Sequence, residues 1–205
     1  MYSSGITAQE LIETIKSETD ISIPVPDKSY IHSINAIEQF IYSELLNEFV
    51  KVDIKYSEIE NDIIPLDSLE KPNNTLSPIF DDVIRIFADG DEVERAGANA
   101  AYDFTEKNLF YNKYDNNITL SLERRPDTIT VIFRIRPILK AENNINTQYV
   151  YVPIEFLDLV SSKVRGDVYK LVNEDVLSAK WLSEYNAQLE SFKIWAAGKN
   201  QRFGG

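Results

Sequence analysis

The spacing of apolar residues changes along this chain, and that change limits the folds it can adopt. Near both ends, apolar residues recur every three or four positions, the period of one face of an α-helix. In the middle they alternate with polar residues, the period of a half-buried β-strand. Ile34, Ile37, Ile41 and Leu45 show the first pattern, and Val50, Val52, Ile54 and Tyr56 the second. We therefore expect helices at both ends and strands between them.

Two helices are predicted before the first strand. Thr7 and Glu10 form a T-x-x-E capping box, which indicates a helix over about residues 8–18. Asp27 is a good N-cap for a second helix, the one that carries the isoleucine stripe. The polar residues of this second helix are expected to face outward; they are Asn35, Glu38, Gln39, Ser43 and Glu44.

The middle of the chain carries strand and turn signals. Val83, Ile86 and Phe87 indicate a strand, and the Asp89-Gly90 dipeptide after it is a strong turn signal. Three further extended segments, at residues 109–114, 118–123 and 128–136, are predicted to form an antiparallel meander. The segment QYVYVP, which ends at Pro153, is expected to be extended as well.

The last part of the chain is predicted to be helical. Asn173, followed by two acids, is expected to cap the final helix. One apolar stripe precedes it and one follows: Leu157, Val160, Val164, Val168 and Leu171, then Leu182, Tyr185, Leu189, Phe192 and Ala196. The expected fold class is α+β, a helical bundle from the N- and C-terminal helices with an inserted antiparallel β-subdomain. The expected boundaries are 1–49, 50–153, 154–197 and a tail at 198–205.

Charge and composition narrow the functional classes. The 205 residues carry a net charge of −12; residues 1–100 hold 20 acids and 7 bases, and residues 101–205 hold 13 and 14. An acidic front half argues against binding to nucleic acid through its phosphates, which needs clustered Lys and Arg. The chain has no cysteine, which excludes disulfides and thiolate metal sites. Its first residues resemble neither a signal peptide nor a membrane helix, so synthesis and use in a cytosol are the default expectation.

Catalytic and cofactor motifs are absent from the sequence. His32 is the single histidine, and its place beside an apolar stripe favours an ordinary surface or boundary histidine over a catalytic triad. Asp81, Asp82 and the acids around Gly90 do not fit a calcium loop, because that loop would have to begin at Arg85. No Gly-rich phosphate-binding motif occurs. We therefore predict no catalytic, metal or cofactor-binding residues, and no enzyme activity.

Arginines and aromatic residues are the candidates for partner binding. Arg134 and Arg136 share one strand face, and Arg124 and Arg125 lie in the turn before that strand. They are either a positive rim for an acidic neighbour or phosphate, or the solvated side of a strand. Trp181 and Trp195 are 14 residues apart and point nearly the same way, as core or as interface residues. The tail KNQRFGG is either a disordered end or a docking peptide anchored by three residues: Lys199, Arg202 and Phe203.

Most of the chain resembles the head-to-tail adaptor (connector) proteins of tailed bacteriophages. The resemblance lies in a D-V-I-R-I strand, a strand ending in R-P, and V-P opening a helix that leads through an N-E-D cap to a W-x-x-x-Y-x-x-x-L-x-x-F helix. It implies a ring-forming structural virion protein, usually a dodecamer, below the portal and without cofactors. Its partners would be the portal protein, a neck stopper or tail protein, and copies of itself.

The resemblance also implies a location and a role for the charges. The protein would be made in the host cytoplasm and would reside in the virion neck, away from any membrane. DNA would pass through the lumen without specific binding, and acids lining that lumen would keep it from adhering. The basic surface of one subunit, including Arg124, Arg125, Arg134 and Arg136, would meet the acidic surface of the next. The alternatives are a tail-completion or baseplate protein, a small acidic hydrolase and a generic cytosolic binding module.

Overall fold

The chain divides into two compact units, one helical and one built on a sheet. The computed structural model describes residues 3–46, 49–66, 76–96, 109–113 and 117–200. The helical unit comprises Met1–Asn47 and Pro137–Gly205, and the sheet unit comprises Glu48–Arg136. This division places residues 137–153 with the helices, whereas the sequence pattern predicts a β-rich insert that extends to residue 153. The mixture of helix and sheet confirms the predicted α+β class.

Helices α1 (Ala8–Glu18) and α2 (Asp27–Phe40) open the helical unit. The capping box is confirmed: the Thr7 hydroxyl accepts from the Glu10 N–H at 3.2 Å, and the Glu10 carboxylate accepts from the Thr7 N–H at 2.8 Å. The prediction that Asp27 caps α2 is wrong, because Pro26 occupies the N-cap position. Asp27 is instead the first helical residue, where its charge suits the helix dipole and pairs with Lys16.

Helices α3 (Leu157–Leu171) and α4 (Asp175–Asn200) form an antiparallel hairpin. Gly166 allows them to approach closely, because a Cβ at that position would lie 2.7 Å from Leu182 Cδ2. The Ser178 hydroxyl donates to the Gly166 carbonyl at 2.8 Å in the same buried contact. The three central valines of the predicted α3 stripe are fully buried: Val160, Val164 and Val168.

Asn173 ends α3 and does not cap α4, contrary to the prediction. Its φ of 61° is left-handed, a conformation that Asn tolerates after a helix C-terminus. Its N–H donates to the Lys170 carbonyl, and the next N–H, of Glu174, donates to the Tyr169 carbonyl at 2.9 Å. These bonds satisfy the last carbonyls of α3 and turn the chain sharply into α4.

Within the described residues, the sheet has seven strands: β1 (Phe49–Lys55), β2 (Ile63–Pro65), β3 (Leu76–Ala88), β4 (Asp91–Arg95), β5 (Leu109–Lys113), β6 (Asn117–Ser121) and β7 (Thr128–Pro137). Their order is β1-β7-β3-β4-β5-β6-β2. The β4–β5 pair is parallel, and the β1–β7, β3–β4, β5–β6 and β2–β6 pairs are antiparallel. In β7 the odd-numbered residues of the first half point into the core: Ile129, Val131 and Phe133.

The predicted turn is confirmed, but the predicted meander is only partly right. Asp89 and Gly90 adopt positive φ values of 49° and 93° and join β3 to β4. Strands β5 and β6 pair as expected, whereas β7 leaves them and inserts between β1 and β3. The segment before Pro153 is not a strand: Tyr149 makes one isolated bridge to Thr7, and the next three residues are buried.

Candidate interaction surface

Arg124 and Arg125 lie in the connection between β6 and β7, where both are exposed. Arg124 Nη2 is 3.3 Å from Asp91 Oδ2, and the two side chains are 75% and 81% exposed. An ion pair this open to water contributes little to stability. Both charges therefore remain available to a partner.

A cleft of about 310 Å³ lies beside this pair, between β4 and the β6–β7 connection. Its lining includes three acids and one arginine: Asp91, Glu92, Glu123 and Arg124. Mixed charge at a shallow opening suits a charged protein surface, since complementary charges set the orientation of an encounter.

Arg134 and Arg136 occupy a different part of the sheet unit. They lie on the half-exposed face of β7, opposite the face that buries Phe133, and Arg134 is across from Phe49 of β1. The ten residues of β7 span about 30 Å. The four arginines therefore form two pairs at opposite ends of one strand, and they do not form a single patch.

Trp181 is half-buried on α4 and helps to join three helices. The guanidinium carbon of Arg165 lies 4.5 Å from the centre of its ring, and Lys180 Nζ lies 5.1 Å from it. Arg165 also forms an ion pair with Glu18 of α1. The tryptophan face is thus occupied by a cation that links α3 to α1.

Trp195 belongs to an aromatic cluster at the other end of α4. Its ring centre is 5.3 Å from that of Phe156 and 5.4 Å from that of Phe192, which is fully buried. Lys199 Nζ lies 5.4 Å from the Trp195 ring centre. Arg202 and Phe203, the other proposed anchors of the tail, lie outside the described residues.

The helical unit contains a buried ion pair that the sequence pattern does not predict. Glu38 was predicted to face outward, but it is 1% exposed and pairs with Lys140, which is 3% exposed. The Glu38 carboxylate also accepts from the Tyr151 N–H at 2.8 Å. The Asn35 amide bonds both the N–H and the carbonyl of Lys140, at 2.9 Å each. The segment after β7 is thereby fixed to α2.

Burial controls the ionisation of this pair. Loss of hydration raises the pKa of the Glu38 carboxyl, against the opposing effect of the Lys140 charge and of its hydrogen bonds. Loss of hydration likewise lowers the pKa of Lys140. The spacing of residues does indicate that Glu38 is buried. Glu38 follows Ile34 by four positions and precedes Ile41 by three, which places it on the apolar face of the helix.

Among the residues described, we find no histidine site, no metal site and no membrane-spanning helix. His32 is exposed on α2. Within the five described ranges, no group of three or more His, Asp or Glu side chains is placed to hold a metal ion. None of the helices in the described part of the chain is long and apolar enough to span a membrane.

The fold and these surfaces define an α+β protein with exposed charges of both signs on its sheet unit. In comparisons with known proteins, no family model matches the chain, and no curated protein matches it either.

Proposed function

We propose that this chain is a structural virion protein, a head-to-tail adaptor that forms a ring beneath the portal. It links the capsid to the neck or tail and keeps the DNA channel open. The resemblance of its sequence segments to phage connector proteins supports the proposal. So does the order of elements, in which helices from both ends of the chain flank an inserted sheet unit.

The observation that carries the proposal is exposed charge of both signs on the sheet unit. Arg124 and Arg125 form a basic patch in the β6–β7 connection. Glu92 and Glu94 form an acidic patch on the face of β4 opposite the buried Val93. The two patches border one cleft, which Glu92 and Arg124 both line. In the proposed contact the basic side of one subunit's cleft meets the acidic side of the next subunit's, and a head-to-tail contact of this kind closes into a ring when the rotation between subunits closes.

The acidic excess of the chain supports the channel role. With a net charge of −12, the protein repels the phosphates of DNA wherever its acids face the lumen. The neck stopper or tail protein docks on the far side of the ring. The proposed anchors on the portal are Lys199, in the last turn of α4, and Arg202 and Phe203, which follow α4 in the sequence. Alanine at Arg202 and Phe203 is expected to reduce co-sedimentation with the portal.

Charge reversal tests the ring contact. The Arg124→Glu/Arg125→Glu variant is expected to fold normally, since both side chains are exposed, but to form no ring on the portal in electron micrographs. Adding Glu92→Arg and Glu94→Arg to the same chain restores complementarity and should restore the ring. Lys28→Glu, at another exposed position, is the matched control.

Location in the particle tests the function itself. Electron cryomicroscopy of the assembled virion should place a ring of this chain, twelve copies by resemblance, directly below the portal. Density for the chain in a baseplate, or at the far end of a tail tube, would contradict the adaptor role. Rings that form equally well from the double arginine variant would contradict the proposed contact alone.

A further inference from the structure

The solvent-facing side of α4 carries a seam with heptad spacing. Six residues lie at successive intervals of four, three, four, three and four, and all are exposed: Val176, Lys180, Ser183, Ala187, Glu190 and Ile194. These five intervals average 3.6 residues, and their alternation of four and three is that of the heptad repeat, which keeps one helix face against a second helix. The seam runs for about 27 Å along α4 at the usual rise per residue.

The composition of this seam is unusual for a face turned to water. Val176 and Ile194, at its two ends, are 84% and 76% exposed, the highest values among the large apolar residues described. Ser183 and Ala187, at its centre, are small and uncharged. The core-facing side of α4 is a separate stripe that includes Leu189, Phe192 and Ala196.

The seam is complementary to itself when one copy is reversed. Read from the other end, the same six positions place Val176 against Ile194, Lys180 against Glu190, and Ser183 against Ala187. Because of the two-fold axis, each of these contacts occurs twice in the dimer. Apolar residues then meet apolar residues, and cations meet anions.

We propose that a second copy of this chain covers the seam, with the two α4 helices packed antiparallel about a two-fold axis. The small central residues let the helix axes come within about 8–10 Å of each other. A parallel pairing would set Lys180 against Lys180 and Glu190 against Glu190, and like charges in register are repulsive. The charges therefore select the antiparallel orientation.

Existing contacts do not remove these charges from the seam. Glu190 lies 2.7 Å from Lys193 in the same helix, but the side chains of Lys193 and Glu190 are 42% and 69% exposed. A surface pair of this kind is weak. Lys180 Nζ lies 5.1 Å from the Trp181 ring centre, but the Lys180 side chain is still exposed.

The two-fold contact is independent of the proposed ring. An isologous contact closes at two copies, whereas a ring needs a head-to-tail contact. The α4 pairing thus describes the association of the free chain, and it stands or falls whether or not the chain is an adaptor.

Sedimentation velocity over a range of concentrations tests the pairing. The wild type is expected to form a dimer that dissociates on dilution. Lys180→Glu should weaken it at least about tenfold, equivalent to about 1.4 kcal/mol. The Lys180→Glu/Glu190→Lys double variant should return to nearly wild-type affinity, and Lys28→Glu, on α2, should have no effect. A wild type that stays monomeric up to about 100 μM, about −5.5 kcal/mol of association, would overturn the proposal. So would a double variant as weak as the single one.

Cysteine cross-linking tests the orientation of the two α4 helices. The chain has no cysteine of its own, so only the introduced cysteines can form disulfides. In the antiparallel register, Ser183→Cys chains mixed with Ala187→Cys chains should form disulfide-linked dimers faster than either variant alone. Faster cross-linking of each variant with itself would indicate parallel pairing and would reject the proposed geometry.

Discussion

Glu38 and Lys140 are 102 residues apart in sequence, and they meet in an ion pair that is almost wholly shielded from water. One belongs to α2 and the other to the segment that follows β7. Asn35 and Tyr151 supply the remaining hydrogen bonds around them. The contact therefore joins the two sequence segments from which the helical unit is assembled.

Removing the cation from this pair should be costly. Lys140→Met keeps the volume of the side chain but leaves the Glu38 carboxylate buried without a counter-charge, which should cost about 3–5 kcal/mol at neutral pH. Glu38→Gln/Lys140→Met is the matched control, because the amide oxygen can still accept from the Tyr151 N–H and no charge is left behind. Urea unfolding should find the double variant the more stable of the two at neutral pH.

The same variant predicts a pH dependence with a defined sign. Without Lys140, the effect of burial on Glu38 is less opposed, so its folded pKa rises further above the ordinary 4.5. A folded pKa above the unfolded one means that the folded state prefers the proton. Relative to the double variant, Lys140→Met should therefore be most stable below about pH 4.5 and should lose stability as pH rises through the folded pKa of Glu38. If Lys140→Met is less stable than the double variant by the same free energy at acidic and at neutral pH, the loss of stability does not come from a buried charge on Glu38.

Gly166 and Gly198 offer a matched pair of helical glycines. Alanine at Gly166 would place its Cβ 2.7 Å from Leu182 Cδ2, whereas alanine at Gly198 would meet nothing within 4 Å. Gly166→Ala should cost about 1–3 kcal/mol because α3 and α4 must separate or Leu182 must shift. Gly198→Ala should instead stabilise by about 0.5–1 kcal/mol through helix propensity. Thermal unfolding of both variants checks the contrast, and equal effects would argue against the close helix contact.

The Asp89 turn is held by its side chain as well as by its backbone. The carboxylate accepts from the N–H groups of Asp127 and Thr128 at 2.9 Å, and the residue has a left-handed φ of 49°. Asp89→Ala should cost about 1–3 kcal/mol, because it loses these bonds and tolerates that φ poorly. Asp89→Asn keeps an acceptor and the φ preference, so it should lose clearly less in urea unfolding.

The capping box predicts a local change in ionisation. Hydrogen bonds from the backbone and side chain of Thr7 hold the pKa of Glu10 below its ordinary 4.5. Thr7→Ala removes the side-chain bond, so an NMR titration should find the Glu10 pKa raised towards 4.5. Because the folded pKa is the lower one, the contribution of the box is present above pH 4.5 and is lost as pH falls through the folded value. An unchanged Glu10 pKa in Thr7→Ala would contradict the cap.

Local chemistry explains which features could be predicted from the sequence. The Thr7–Glu10 box and the Asp89-Gly90 turn depend on residues close in sequence, and both form as expected. The burial of Ile129, Val131 and Phe133 follows from their alternation. The neighbours of β7 could not be predicted, because a period of two identifies the buried face of a strand but not its partner.

Residue identity was misleading at two positions. Glu38 lies at a core position by spacing, yet its charge suggested solvent, and Lys140, which makes its burial tolerable, is distant in sequence. Asn173 suits both the start of a helix and the left-handed residue after one, and only the fold distinguishes these two uses. The interaction surface could not be predicted for a similar reason. The four arginines were expected to act as one basic surface, but β7 separates them into two pairs.

The helical unit is built from two separate segments of the sequence, and this affects how it folds during synthesis on the ribosome. Helices α1 and α2 emerge first, but α3, against which they pack, follows only after the whole sheet unit has been translated. At typical elongation rates this delay is on the order of ten seconds. The sheet unit is continuous in sequence and can fold as it emerges, whereas the apolar sides of α1 and α2 that pack on α3 lack this partner until α3 has been translated.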